Sequence, residues 1–260
     1  MSALISILLG LVSILFVLQN LEAPLQNLYD ENAMFIVIGG TLAIAASTIP
    51  WSIGVEIVSY LADAFVAPLQ SNKKIAVTCL NYLSSTQANA RHSNPLRGHA
   101  KELLDDAYEL TSLQFKPEKV SAILKRKIET RHQRQTKFAL AIKGLAKYPP
   151  AFGLAGTVFG LIALMQKISN AQIDGSIGVE MAIALLATLY GIIVSNTLIS
   201  PVGEFLMRRA QNSKLQSQLI LLTINAMNEG STLVELQEEL NANLGPNERI
   251  DLFKANSMST

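Results

Sequence analysis

Four long stretches of the chain carry no charged residue, and this feature limits the possible folds more than any other. Asp, Glu, Lys and Arg are all absent from residues 2–21, 32–55, 148–166 and 181–203. A helix of about 20 residues is long enough to cross the hydrocarbon core of a bilayer, which is about 30 Å thick. Only 16% of the residues are charged, against about a quarter in soluble proteins. We therefore expect four membrane-spanning helices, and the composition argues against a soluble enzyme.

The distribution of basic residues predicts how these spans are oriented. Of the 21 Lys and Arg residues, 15 lie between Lys73 and Lys147, in the long segment that separates the second and third spans. Because basic residues concentrate on the cytoplasmic side of membrane proteins, we expect this segment to be cytoplasmic. The short loops at 22–32 and 167–180 are then external, and both termini are cytoplasmic.

The predicted fold is an all-α membrane protein with four transmembrane helices in two hairpins. The first hairpin covers residues 1–53, and the second covers residues 148–203. Helical periodicity between them, as in the apolar face of 120–128, predicts a cytoplasmic helical domain over 54–147. Residues 204–260 form cytoplasmic C-terminal helices and a tail.

Local signals predict where two helices of the polar segments begin. The sequence Lys116-Pro117-Glu118 is typical of a proline at a helix start. Gly230 and Ser231 are expected to end the helix that follows the fourth span. Residues 232–235, Thr-Leu-Val-Glu, then predict a capping box and a shorter helix to Leu244.

The third and fourth spans carry faces of small residues at helical spacing. These residues are Gly153, Gly156, Thr157, Gly160 and Ala163 in the third span and Ala184, Ala187, Thr188, Gly191 and Ser195 in the fourth. Such faces allow helices to approach closely in lipid, so helix packing alone could account for them. Thr157 and Thr188 could in addition face a shared space and line an ion path.

The predicted spans lack an ionisable group at mid-depth. Glu180 and Glu204 lie only at the outer and inner ends of the fourth span, and the three histidines lie outside the spans. A proton or sodium path usually requires a titratable or anionic group within the bilayer. If this chain conducts ions, another polypeptide must supply the carboxylate.

Other kinds of chemistry find little support in the sequence. His92, His99 and His132 lack the spacing of a helical zinc pair, so no metal site is expected. Acidic residues interleave with the basic ones and no aromatic ladder accompanies them, which argues against nucleic acid. No nucleophile and base can be named, so we expect neither an enzyme nor a cofactor. The single Cys79 is expected on the reduced side of the membrane.

Two segments carry a specific resemblance to a known family. Residues 148–165 begin Tyr-Pro-Pro-Ala-Phe-Gly, and residues 181–201 contain Ala-Thr-Leu-Tyr-Gly and end Ser-Pro. Both resemble the corresponding spans of the flagellar stator A subunits, the MotA/PomA family. Shorter matches lie at 36–41, at Arg131-His132 and at 219–244, so the resemblance covers the spans in order.

This resemblance implies an ion-driven motor in the bacterial inner membrane. Family members form a homopentamer around two copies of a single-span B-type partner, whose membrane aspartate binds the travelling H⁺ or Na⁺. Ion flow turns the pentamer and drives the flagellar motor. By position, Thr157 and Thr188 match residues near the ion path. Pro150 and Pro201 match prolines that shape the inner ends of the spans and couple conformational change.

The cytoplasmic insertion departs from the pattern of rotor-engaging family members. These members carry a basic pair, a glycine and a spaced acidic residue, which residues 88–97 lack. An equivalent charged face is offered by Arg91, Arg97, Lys101, Glu102, Asp105 and Asp106. The alternative is that this face is simply a solvated helix surface.

The sequence leaves two questions open, the class of motor and the identity of the ion. An energiser of the TolQ/ExbB type, a non-flagellar motor and a membrane scaffold are the alternatives, although four spans favour the stator arrangement over the usual three-span energiser. For the ion, the hydroxyl of Thr157 resembles the sodium-type pattern. Ala187 argues for a proton, because sodium-type members usually have a second threonine there.

Overall fold

The computed structural model describes residues 8–10, 12–13, 16, 29–66, 70–87, 99–170 and 177–251. Every regular element in these ranges is helical, which confirms the predicted all-α class. The chain divides into two compact units, residues 1–65 with 136–207 and residues 66–135 with 208–260. Most of the first predicted span, residues 2–21, lies outside the described residues.

The first unit contains the apolar helices. Its elements are α1 (Glu31–Met34), a π-helical turn π1 (Phe35–Gly39), α2 (Gly40–Thr48), α3 (Trp51–Val66), the end of α6 (Pro117–Leu145), α7 (Tyr148–Ser169), α8 (Ile177–Ile193), a second π-helical turn π2 (Val194–Ile199) and the start of α9 (Ser200–Glu229). Three helical runs of the described chain are long and apolar enough to cross a membrane, namely Glu31–Thr48, Pro117–Ser169 and Met181–Glu229. Each contains most or all of one of the charge-free stretches.

The second unit has a core of its own. Its elements are α4 (Asn72–Gln87), α5 (His99–Ser112), most of α6, the remainder of α9, α10 (Leu233–Asn243) and a short 3₁₀ turn (Pro246–Glu248). These helices bury one hydrophobic cluster, in which Leu103, Leu219 and Leu236 are fully inaccessible. Val120, Leu124 and Ile128 are also buried, so the apolar face predicted for residues 120–128 packs into this core.

The helix ends follow the predicted local signals. The helix α6 begins at Pro117, and α9 ends at Glu229, just before Gly230, whose φ of 70° is in the left-handed region. The predicted capping box is present at the start of α10. The amide and hydroxyl of Thr232 donate to Glu235 Oε2 over 2.7 and 2.9 Å, and these hydrogen bonds lower the pKa of the Glu235 carboxyl.

The two π-helical turns lie in the second and fourth spans. The turn π2 ends immediately before Ser200-Pro201. Proline has no amide to donate to the carbonyl four residues earlier and its ring crowds that carbonyl, so a wider turn at this point accommodates Pro201 within a continuous helical run. Pro201 therefore ends no helix, and it lies at the second position of α9.

Candidate functional site

The helices α7 and α8 pack so closely that side chains cannot fit at several points between them. A Cβ atom on Gly153 would lie 2.7 Å from the carbonyl oxygen of Ala187, and one on Gly160 would lie 2.7 Å from the Cβ of Ala184. Gly156 faces Ala187 in the same way. Five of the predicted small residues, Gly153, Gly156, Gly160, Ala184 and Ala187, thus meet at one interface, where only glycine permits this backbone separation.

The hydroxyls of Thr157 and Thr188 come together at this interface. The two Oγ1 atoms are 3.4 Å apart. Thr157 Oγ1 also lies 2.8 Å from the carbonyl oxygen of Leu154 and 3.2 Å from that of Gly153. Thr188 Oγ1 lies 3.3 Å from the Gly153 carbonyl of the neighbouring helix. The two hydroxyl oxygens and the Gly153 carbonyl oxygen therefore form an oxygen cluster between the helices, and the Leu154 carbonyl lies beside Thr157.

Gly153 makes this arrangement possible for two reasons. Its missing side chain lets α8 approach until a Cβ at position 153 would lie 3.0 Å from the Cα of Thr188. Its carbonyl is then within reach of hydroxyls from both helices. Hydroxyl and carbonyl oxygens can replace water around a cation or hold a water molecule in a proton path.

The oxygen cluster contains no carboxylate of this chain. The two charge-free stretches that form α7 and most of α8 supply only hydroxyls, amides and backbone groups. Among the described residues, no group of His, Cys, Asp and Glu side chains could hold a metal ion. The chemistry available here is coordination by neutral oxygens, without a titratable group.

The second span packs beside this pair of helices through contacts that sequence reasoning did not identify. Gly40 lies against the ring of Phe152, so that any side chain at position 40 would overlap the ring. The backbone amide of Asp30 donates to the hydroxyl of Tyr190 over 3.2 Å. Neither contact carries a signal in the sequence, because each joins residues more than a hundred positions apart.

The inner ends of the third and fourth spans are also in close contact. A Cβ on Gly191 would lie 2.5 Å from the carbonyl oxygen of Pro149 and 3.0 Å from the Cα of Pro150. Pro150 lies in the first turn of α7, where a missing amide donor is tolerated. Ser195, in π2, donates a hydrogen bond to the carbonyl of Ala146, between α6 and α7.

In the second unit, the predicted charged face is partly neutralised by α6. Glu102 pairs with Arg131 over 3.3 Å, and Asp106 pairs with Lys127 over 2.8 Å. Lys101 and Asp105 are exposed on α5. Arg91 and Arg97 lie outside the described residues.

The basic side chains of α6 form a surface that sequence reasoning did not single out. An open groove of about 800 Å³ lies beside these ion pairs. It is lined by Glu102, Asp106, Lys119, Ala122, Ile123, Arg126, Lys127, Thr130, Arg131 and Arg134. Lys127, Arg131 and Arg134 are spaced by four and three positions, and Lys119 lies two turns before Arg126, so helical spacing was the available signal.

The chain is similar in sequence to a proton channel family and to named motility proteins. The sequence profile of the MotA/TolQ/ExbB proton channel family matches residues 94–218. The chain is 35% identical to chemotaxis protein PomA of Vibrio alginolyticus over 111 residues, which is 43% of each protein. It is 26% identical to motility protein A of Borreliella burgdorferi over 231 residues, or 86% of each.

Solved structures share the fold over nearly the whole chain. The MotAB structure from C. jejuni superimposes with a TM-score of 0.81 and 18% identity, covering 96% of this chain and 98% of that chain. The flagellar MotAB stator complex from Bacillus subtilis gives a TM-score of 0.77 and 19% identity, covering 95% and 96% respectively.

Proposed function

We propose that this chain is the A-type subunit of a flagellar stator, because residues 94–218 match the sequence profile of the MotA/TolQ/ExbB proton channel family and most of the chain is similar to motility protein A. In this role it couples an inward flow of H⁺ or Na⁺ to rotation. The observation that carries the proposal is the oxygen cluster of Thr157, Thr188 and Gly153 in a closely packed pair of apolar helices. The cluster can contact a passing ion but contains no group that binds one by charge.

Thr157 and Thr188 line the ion path in this proposal. Their hydroxyls face each other across the α7–α8 interface, and both side chains are only half-buried. A sodium ion needs several oxygen ligands in place of its hydration shell, whereas a proton needs a carboxylate and a route through water. The gathered oxygens favour sodium, while Ala187, buried against Gly156, provides no further hydroxyl.

A second polypeptide supplies the missing carboxylate. The whole-chain fold match is to MotAB complexes, in which a B subunit accompanies the A subunit. We propose that five copies of this chain surround two copies of a single-span B-type partner with a membrane aspartate. The exposed apolar residues of α7, among them Leu154, Phe159 and Leu161, are then covered by lipid or by neighbouring subunits.

The proposed location is the bacterial inner membrane, with four spans in two hairpins and both termini in the cytoplasm. The positive-inside rule supports this orientation, since basic residues are concentrated between the second and third spans. The hairpin at 148–203 contains the ion path, and the segments at 54–147 and 204–260 form the cytoplasmic part.

Coupling to rotation is proposed to run through the prolines at the inner ends of the spans. Pro150 lies in the first turn of α7 and contacts Gly191, and Pro201 lies two residues after the end of π2. Each removes one backbone hydrogen bond, so these points bend more readily than the rest of the helix. Contact with a flagellar rotor is proposed for the charged face of α5, where Lys101 and Asp105 are exposed and Glu102 and Asp106 are paired with α6.

An energiser of the TolQ/ExbB type is the second candidate, because the matching family also includes these proteins. The stator role is preferred because MotAB structures cover at least 95% of this chain. A partner with a peptidoglycan-binding domain would support the stator, and a partner with an envelope-transducer domain would support the energiser.

The proposal can be tested by ion flux into liposomes. The tagged chain purified alone should carry H⁺ and Na⁺ at the background rate of empty liposomes. The complex isolated from native membranes through the same tag should contain a second, single-span protein and carry a flux. A robust flux through the chain alone would contradict the partner requirement, and no flux through the intact complex would contradict the channel function.

A further inference from the structure

The junction between α6 and α7 has a backbone carbonyl that has lost its normal donor. In a continuous helix the amide of residue 150 would donate to the carbonyl of Ala146, four residues earlier. Position 150 is a proline, which has no amide hydrogen. The helix α6 ends at Leu145 and α7 begins at Tyr148, so Ala146 lies in the break. Its carbonyl therefore needs a donor from elsewhere.

Ser195 provides that donor from the fourth span. Its Oγ lies 2.5 Å from the carbonyl oxygen of Ala146, which is 49 residues away in sequence. The side chain of Ser195 is only 5% exposed, so water cannot easily replace the contact. Thr41 behaves differently, because its buried hydroxyl donates to Val37 in its own helix. The bond of Ser195 joins two separate segments.

The fourth span packs against this junction on both sides of Ser195. Four residues earlier, Gly191 lies against the backbone of Pro149. Eight residues later, a Cβ on Gly203 would lie 2.9 Å from the Cβ of Lys143, near the end of α6. Positions 191, 195 and 203 all face this junction, because each of them contacts part of it. Together they therefore contact the end of α6, the break and the start of α7.

Thr188 is on the same side of α8, seven residues before Ser195. Its hydroxyl lies 3.3 Å from the Gly153 carbonyl of α7. The helical run formed by α8 and π2 thus contacts α7 at the oxygen cluster. Through Ser195 the same run contacts the α6–α7 break. A rotation or shift of α8 that changes the first contact also changes the second, because π2 joins the two without leaving the helical run.

We propose that Ser195 is a positioning residue, which replaces the backbone donor lost at Pro150 and ties the fourth span to the α6–α7 junction. This inference rests on the proposed stator function. A displacement of α8 caused by ion passage reaches the end of α6 through the hydrogen bond between Ser195 and Ala146. The requirement for a hydroxyl at position 195 follows from the proline at position 150.

A double-mutant cycle tests this link between the two positions. Ser195→Ala removes the donor, and Pro150→Ala restores an amide that can donate to Ala146. In the full-length complex in detergent, Ser195→Ala should lower the melting temperature by about 2–4 °C when residue 150 is proline. In the Pro150→Ala background the same change should have little effect. Equal effects in the two backgrounds would overturn the proposal, whatever the function of the complex.

The ratio of rotation speed to ion flux provides a second measurement, which a purely structural role of Ser195 would not change. Ion flux in liposomes and rotation speed in cells should be measured for Ser195→Ala and for Ser200→Ala, a matched serine change in the same helical run. Ser195→Ala should lower rotation more than flux, and Ser195→Thr should recover part of the rotation. A parallel fall of rotation, flux and amount of complex would show that Ser195 serves folding alone. Absence of flux in the unmodified complex would instead contradict the proposed channel.

Discussion

Thr157 and Thr188 place their Oγ1 atoms 3.4 Å apart across the interface of α7 and α8. The contact depends on Gly153, because its missing side chain lets the helices approach. Its carbonyl oxygen lies 3.2 Å from the hydroxyl of Thr157 and 3.3 Å from that of Thr188. The features that pack the two helices and those that could contact an ion are therefore the same residues. A change that only loosened the interface would also move the oxygens.

The first prediction concerns the hydroxyl of Thr157 and the identity of the ion. Thr157→Ala should reduce sodium-driven flux by about tenfold, because one ligand for a charged species is lost. Thr157→Ser should retain most of the flux. Thr41→Ser is the matched control in another span, since its hydroxyl can still donate to Val37. Activity that survives sodium removal but is abolished by a protonophore would assign the path to protons.

The second prediction concerns the close approach of α7 and α8. Gly160→Leu should prevent assembly or lower stability by at least about 1–3 kcal/mol, because the new side chain overlaps Ala184. Gly178→Leu introduces the same side chain into α8 where no atom lies within 4 Å of the added Cβ. Thermal melting of the purified complexes should separate the two variants. Similar melting temperatures would mean that the interface is not as closely packed as described.

The third prediction concerns the orientation of the cytoplasmic segment. Ser112, at the exposed end of α5, can be changed to cysteine in a Cys79→Ala background. An impermeant maleimide should label it only after the membrane is permeabilised. The native Cys79 is buried, and burial raises the pKa of its thiol to about 11, so it should react slowly in the unmodified chain. Labelling of Ser112→Cys in intact cells would reverse the proposed topology.

The fourth prediction concerns the capping box of α10. Hydrogen bonds from Thr232 lower the pKa of Glu235, so the folded state favours the ionised carboxylate. Its stabilising effect is present above the unfolded pKa and is lost as the pH falls through the folded pKa. Glu235→Gln should therefore reduce the acid sensitivity of the melting temperature. An unchanged difference in melting temperature between pH 7 and acidic pH would contradict this assignment.

The amino-acid sequence by itself determined the features that depend on neighbouring residues. Charge-free length marked the apolar helices, and the start of α6 at Pro117 and the capping box at Thr232 were confirmed. Each signal lies within a few residues of the structure it specifies, because a helix is built from hydrogen bonds between positions four apart. The buried face of α6 was predictable for the same reason.

Only the tertiary structure decided which of these faces meet and in what register. The small residues of α7 and α8 indicated close packing, but the carbonyl that Thr188 approaches depends on the axial position of one helix against the other. The bond from Ser195 to Ala146 and the pair of Glu102 with Arg131 join segments that are 49 and 29 residues apart. Helical periodicity defines a face but not its partner, because many registers bury similar apolar area and side-chain fit selects among them.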